Sequence, residues 1–182
     1  MSTVISYENE FNQSVTESQA QMFETYIKII KLNNLIKVKE EYINNLLIEV
    51  TYYQDNESVA EIFNKYPSLN KLDIAKRVEI QGNYIREDIF THQKNVGLKL
   101  YSFNIEHIVT GKSICFGSYN LQTGEIINKS VVKMKYDISG NVSYSYYYNS
   151  LGKVNIIEEE SGEPFSNEFS KEYYNNVLPL LP

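Results

Sequence analysis

The sequence predicts an α+β fold: predominantly antiparallel β meanders, forming a curved sheet or a sandwich, with two or three short helices. Three observations carry that expectation. Runs of alternating apolar and polar residues are separated by Asn-Asn or Gly-bearing turns at meander spacing. Tyrosine is in excess, 16 against 8 Phe and no Trp, and its ring suits a pleated surface with the hydroxyl left wet. Two Ser-x-x-Glu motifs, one at Ser14 and Glu17 and one at Ser58 and Glu61, mark helix starts. The 182 residues, 42% apolar and 22% charged, suffice for a single domain, residues 1–182, whose core needs neither metal nor disulfide.

Taken in order, residues 1–13 are polar and aperiodic and read as a flexible arm or a frayed strand. A short helix is expected from Ser14 to about Phe23. Three β-type runs follow, residues 26–32, 35–43 and 46–53, separated by Asn33-Asn34 and Asn44-Asn45. Asparagine tolerates the positive φ of a tight hairpin turn. In the middle run Ile36, Val38 and Glu40 share one face and Lys37, Lys39 and Glu41 the other, so one face is expected to be wet. Ser58 opens a helix, with Val59, Ile62, Phe63 and Tyr66 on one stripe and Pro67 as its stop. Short strands are expected at 75–80, 84–91, 98–105, 105–109 and 113–119. A second meander runs from Val132 to about Glu158, with turns at 138–141 and 149–152. Residues 165–182 read as a C-terminal helix and tail, with Phe169, Tyr173 and Val177 on one side.

The turn segment Tyr136-Asp137-Ile-Ser-Gly140-Asn141-Val142 resembles the core of the YD repeat. Tyr148-Asn149-Ser-Leu-Gly152-Lys153-Val154 is similar, with Asn for Asp and Lys for Arg, and Tyr119-Asn120 with Gly124 departs further. The resemblance covers about residues 131–156 and implies β-hairpins of the kind found in Rhs-type shells. Those shells are far longer and repeat the motif many times.

The net charge is −6 and the longest basic cluster is Lys76-Arg77, which argues against a nucleic-acid-binding surface. The single cysteine, Cys115, lies in an apolar strand-like run and reads as a buried thiol in a reducing compartment. The N-terminal residues lack the basic and apolar regions of a signal peptide, and no apolar run approaches the ~20 residues that span a bilayer. A cytoplasmic location without membrane contact is therefore expected.

Chemistry is sparse in the sequence. His92 and His107 have acidic neighbours, Asp88 and Glu106, but no His-x3-His or Cys-x2-Cys pair suggests a metal site. Gly111-Lys112-Ser113 carries the last three letters of a phosphate-binding loop without its first glycine, and it precedes a strand rather than a helix. The sequence assigns no catalytic residue, no metal and no cofactor. The expected function is a non-enzymatic protein-binding inhibitor, most concretely an immunity protein that occludes the active site of a bacterial toxin or effector. Candidate contacts are Tyr144, Tyr146 and Tyr148, which alternate along one strand, and the acidic run Glu158, Glu159 and Glu160. The alternatives are a small enzyme with dispersed residues, His92 or His107 among them, and a structural β-subunit of a larger assembly.

Overall fold

Asparagine turns set the frame of the first meander. Asn44 and Asn45 adopt φ of 50° and 63°, the left-handed pair that a type I′ hairpin requires. Asn33 has φ of 51° at the preceding turn. The computed structural model describes residues 2–11, 13–33, 35–160 and 169–182. Asn34, the turn at 161–164 and the expected helix start at 165 lie outside the described residues.

The strands are β1 (Thr3–Asn9), β2 (Ser14–Val15), β3 (Thr25–Leu32), β4 (Leu35–Ile43), β5 (Leu46–Tyr53), β6 (Lys71–Gln81), β7 (Tyr84–Gln93), β8 (Gly97–His107), β9 (Ser113–Tyr119), β10 (Val132–Tyr136), β11 (Val142–Tyr148) and β12 (Val154–Glu159). Three short helices are described: α1 (Glu17–Ala20), α2 (Val59–Lys65) and α3 (Lys171–Asn175). The strands form one sheet in the order β12-β11-β10-β9-β8-β7-β6-β5-β4-β3-β1-β2. The sandwich alternative is thereby set aside.

One neighbour pair departs from the antiparallel expectation. β5 and β6 run parallel, with Tyr52 opposite Ile74. Parallel neighbours need a crossover, and the segment carrying α2 supplies it. By internal packing the chain comprises two compact units, residues 1–76 with 90–99 and residues 77–89 with 100–182.

In the first unit α2 covers one sheet face. Ser58 caps it with the expected box: its hydroxyl accepts from the Glu61 amide while the Glu61 carboxylate accepts from the Ser58 amide. Ile62 is fully buried against Val38, Val50, Tyr52, Leu72 and Ile74, with Phe63 and Tyr66 beside them. Burial of such a side chain contributes ~1.5–3 kcal/mol. Glu40 shares this face, as the alternation predicts, yet it is buried. The hydroxyls of Tyr42 and Tyr66 donate to it and the Lys28 ammonium lies 3.0 Å away. A buried carboxylate needs such partners.

Of the two expectations for the N-terminal residues, the strand is the one found. Thr3–Asn9 is a strand, paired along its length with β3. Buried Asn9 fastens the turn that follows, its Oδ1 accepting from the amides of Phe11 and Gln13. The first capping box also lies two residues later than expected. Ser14 and Val15 pair with β1, and Thr16 with Gln19 caps α1.

The second unit is built on β9 to β12 and on parts of β6 to β8. Phe103, Ile105, Ile114, Cys115, Val131 and Tyr148 form its core. Gly117 lies under the Phe103 ring, where an added Cβ would meet ring carbons at 2.9 Å and Val131 Cγ2 at 3.1 Å. The turns have the expected chemistry. Asp137 Oδ1 accepts from the Asn141 amide, Asn149 Oδ1 from those of Leu151 and Lys153, and Gly140 takes φ of 84°. The expected strand at 105–109 is instead the end of β8, which runs unbroken to His107. The C-terminal helix is shorter than expected, though Phe169, Tyr173 and Val177 do pack together on the core.

Gly117→Ala is expected to lower stability by ~1–3 kcal/mol through overpacking against Phe103. A denaturant titration comparing it with the parent chain measures the loss.

Candidate binding surface

Strand alternation decides where the predicted residues of the second meander lie. Partners across an antiparallel ladder share a face. Lys133 opposes Tyr146, Lys135 opposes Tyr144, and Tyr144 opposes Glu159. These residues therefore line one face, and the C-terminal segment with α3 packs on it. The Tyr146 ring stacks on Tyr174 with centroids 4.5 Å apart, and the Tyr148 hydroxyl donates to the Tyr174 carbonyl at 2.6 Å.

The tyrosine row is thus graded. Tyr148 is buried at 3% exposure and belongs to the core, while Tyr144 and Tyr146 are half-buried. Tyr148 supports the surface from beneath and offers no contact area of its own.

The same face buries two lysines. Lys133 has no exposed surface. Its ammonium donates to the Tyr173 carbonyl at 2.8 Å and lies 3.9 Å from the Tyr173 ring centroid. Burial holds its pKa down to about 8. Lys135 lies over the Tyr174 ring. Cys115 sits opposite Lys133 on β9, fully buried, with its pKa pushed up by burial to about 12. Such a thiol is unreactive.

The acidic run lies at the end of β12, an edge strand of the sheet. Glu158, Glu159 and Glu160 are all exposed. They do not share one face. Glu159 lies with Tyr144 and Tyr146, whereas Glu158 opposes Ser145 across the ladder and turns the other way. The Tyr147 hydroxyl donates to Glu158 at 3.0 Å and the Ser145 hydroxyl to Glu160 at 2.6 Å. The Glu158 carboxylate raises the Tyr147 pKa. Tyr147 was outside the predicted set because it falls between members of the alternating row. Its register with the edge strand reveals it. Ile156 and Ile157 are about half exposed beside these carboxylates.

The histidines lie elsewhere. His107 lines a pocket of about 250 Å³ with Tyr84, Lys112, Tyr136 and Asp137. Its Nδ1 contacts the Thr110 hydroxyl at 3.2 Å, and its ring meets Tyr84 edge-on. Lys112 braces the β10–β11 turn, donating to the Gly140 carbonyl at 2.5 Å above the Tyr136 ring. Asp137 is buried and holds the turn through Asn141. His92 lines a larger groove beside Val59, Phe63 and Asn64, and burial lowers its pKa. Asp88 is engaged by Arg86 and Tyr101. No group of three His, Cys, Asp or Glu placed to hold a metal ion occurs among the described residues. No described helix is long and apolar enough to cross a membrane.

Comparison with known proteins gives no match to a family model, to a curated protein or to a solved structure.

The buried Lys133 makes stability depend on pH. Its folded pKa lies below the ordinary ~10.4, so the unfolded chain binds the extra proton between those values. The penalty is fully present below pH 8 and fades as pH rises toward ~10.4. The stability difference between the parent chain and Lys133→Met is expected to shift in favour of the parent between pH 8 and 10, as read by denaturant titrations at several pH values. Tyr148→Phe is expected to cost ~1 kcal/mol by leaving the Tyr174 carbonyl without its donor, as read by a denaturant titration against the parent chain.

Proposed function

We propose that this chain works by binding another protein, as an inhibitor of the immunity-protein kind. A bacterial toxin or effector is the proposed partner, and occlusion of its active site or substrate path is the proposed mechanism. One observation carries the reading: an exposed sheet edge at which three carboxylates, two half-exposed isoleucines and Tyr144, Tyr146 and Tyr147 converge. Aromatic and apolar groups provide contact area, and the carboxylates supply complementarity to a basic surface. The Tyr147 and Ser145 hydroxyls hold two of the carboxylates in place, so less side-chain freedom is lost on binding. The net charge of −6 favours encounter with a basic partner.

The test is capture of the partner by the tagged chain in its source cells, followed by assay of the captured protein with and without the chain. A defined complex with suppressed partner activity is expected. Reversing all three charges (Glu158→Lys, Glu159→Lys and Glu160→Lys together) is expected to weaken it roughly tenfold or more at low salt and to flatten the loss of binding that the parent complex shows as salt rises. Unchanged affinity would remove this edge from the interface.

A further inference from the structure

We propose that residues 156–160 of the β12 edge bind the partner by taking up an extended, cationic segment of it as an added antiparallel strand. The proposal rests on the protein-binding reading and names the form the partner takes at that same edge.

Backbone geometry defines the opening. The Glu160 amide donates to the Ser143 carbonyl at 2.9 Å. In an antiparallel ladder such bonded pairs alternate, so residues 156, 158 and 160 turn their backbone groups toward β11. Ile157 and Glu159 then turn their N–H and C=O groups outward. No described strand pairs with that side. Toward the chain start the opening is bounded by a bulge. Tyr147 opposes Ile156 and Tyr148 opposes Val154, which leaves Asn155 as the extra residue. A bulge disrupts regular pairing, so an incoming strand finds its register from residue 156 onward.

Side chains then select the occupant. Sheet edges are usually guarded by charged side chains, Lys above all, by Pro, by bulges or by extreme shortness, and here the guard is acidic. Residues 156–160 contain neither Lys nor Pro, and they present Ile-Ile-Glu-Glu-Glu. The opposite edge, β2, has two residues. A second copy of this chain fits poorly. The two-fold pairing that uses all five residues sets Glu158 against its own copy and Ile157 against Glu159. Like charges directly opposed are destabilising. A segment with three basic residues followed by two apolar ones, running antiparallel, meets every position with a favourable cross-strand partner. Main-chain bonds give affinity in this mode and side chains give selectivity.

The probe is a fluorescein-labelled, C-terminally amidated peptide, Lys-Lys-Lys-Val-Val, titrated with the whole chain by anisotropy at low and moderate salt. Its second and fourth residues fall opposite Glu159 and Ile157 and form the new backbone bonds. Saturable binding is expected that drops roughly tenfold or more when those two amides are N-methylated, and that persists when the first and third are. The triple charge reversal, checked by circular dichroism for retained fold, is expected to abolish it. Binding indifferent to the site of methylation means charge attraction without strand addition and overturns the proposal. So does a β12-dependent dimer seen by light scattering, or absence of peptide binding. A captured partner released by the charge reversal while the peptide stays unbound overturns strand addition alone and leaves the inhibitor reading standing.

Discussion

Each of the two units depends on covering a face of its pleated strands with very little helix. α2 has seven residues and α3 five, both below the length at which a helix is stable alone. Each exists because its side chains complete a core. Ile62 does this for the first unit, with capping from Ser58 and Glu61 that fixes the entry angle of the chain. In the second unit Phe169, Tyr173 and Val177 do it, together with hydrogen bonds from Lys133 and Tyr148 to backbone carbonyls of α3. Cover and covered are mutually stabilising, so neither element can be judged apart from the other.

That dependence explains how the proposed binding edge is supported. The side of β11 away from the edge strand's Glu158 and Glu160 is packed under α3, which fixes Tyr146 and Tyr148. Rigid backing is what a contact surface needs if binding energy is not to be spent on ordering it. The carboxylates are held from the other side by Ser145 and Tyr147. Aromatic support and acidic display thus come from alternate residues of one strand.

Much of the local structure was legible in the sequence. Asn44-Asn45 specified its hairpin because few residues other than Asn and Gly enter that region of φ. The α2 stripe and cap were unambiguous, as were the turns at Asp137 and Asn149. What period-two alternation cannot convey is which side is covered. Lys133 looks like a solvent residue until α3 is known to lie over it. It also cannot convey strand direction, so the parallel β5–β6 pair was invisible. For Thr3–Asn9 the sequence leaves an arm and a frayed strand both open, because a polar strand resembles an arm until its partner is known. The division into two units left no trace, since its breaks fall inside β6, β7 and β8 rather than in a linker. At the candidate surface the three glutamates were legible as an exposed strand end, while Tyr147 required the register.

From β3 to β12 the order of strands in the sheet is the order of strands in the chain. Each new strand can therefore be laid down beside the one just synthesised, with short loops to close and a single crossover at α2. A sheet assembled that way always carries a sticky growing end until synthesis stops. Among the described strands β12 is the last such end, and on the proposed reading its glutamates make it choosy about what may follow: sister chains would be repelled, and a basic strand from outside would be admitted as one strand more.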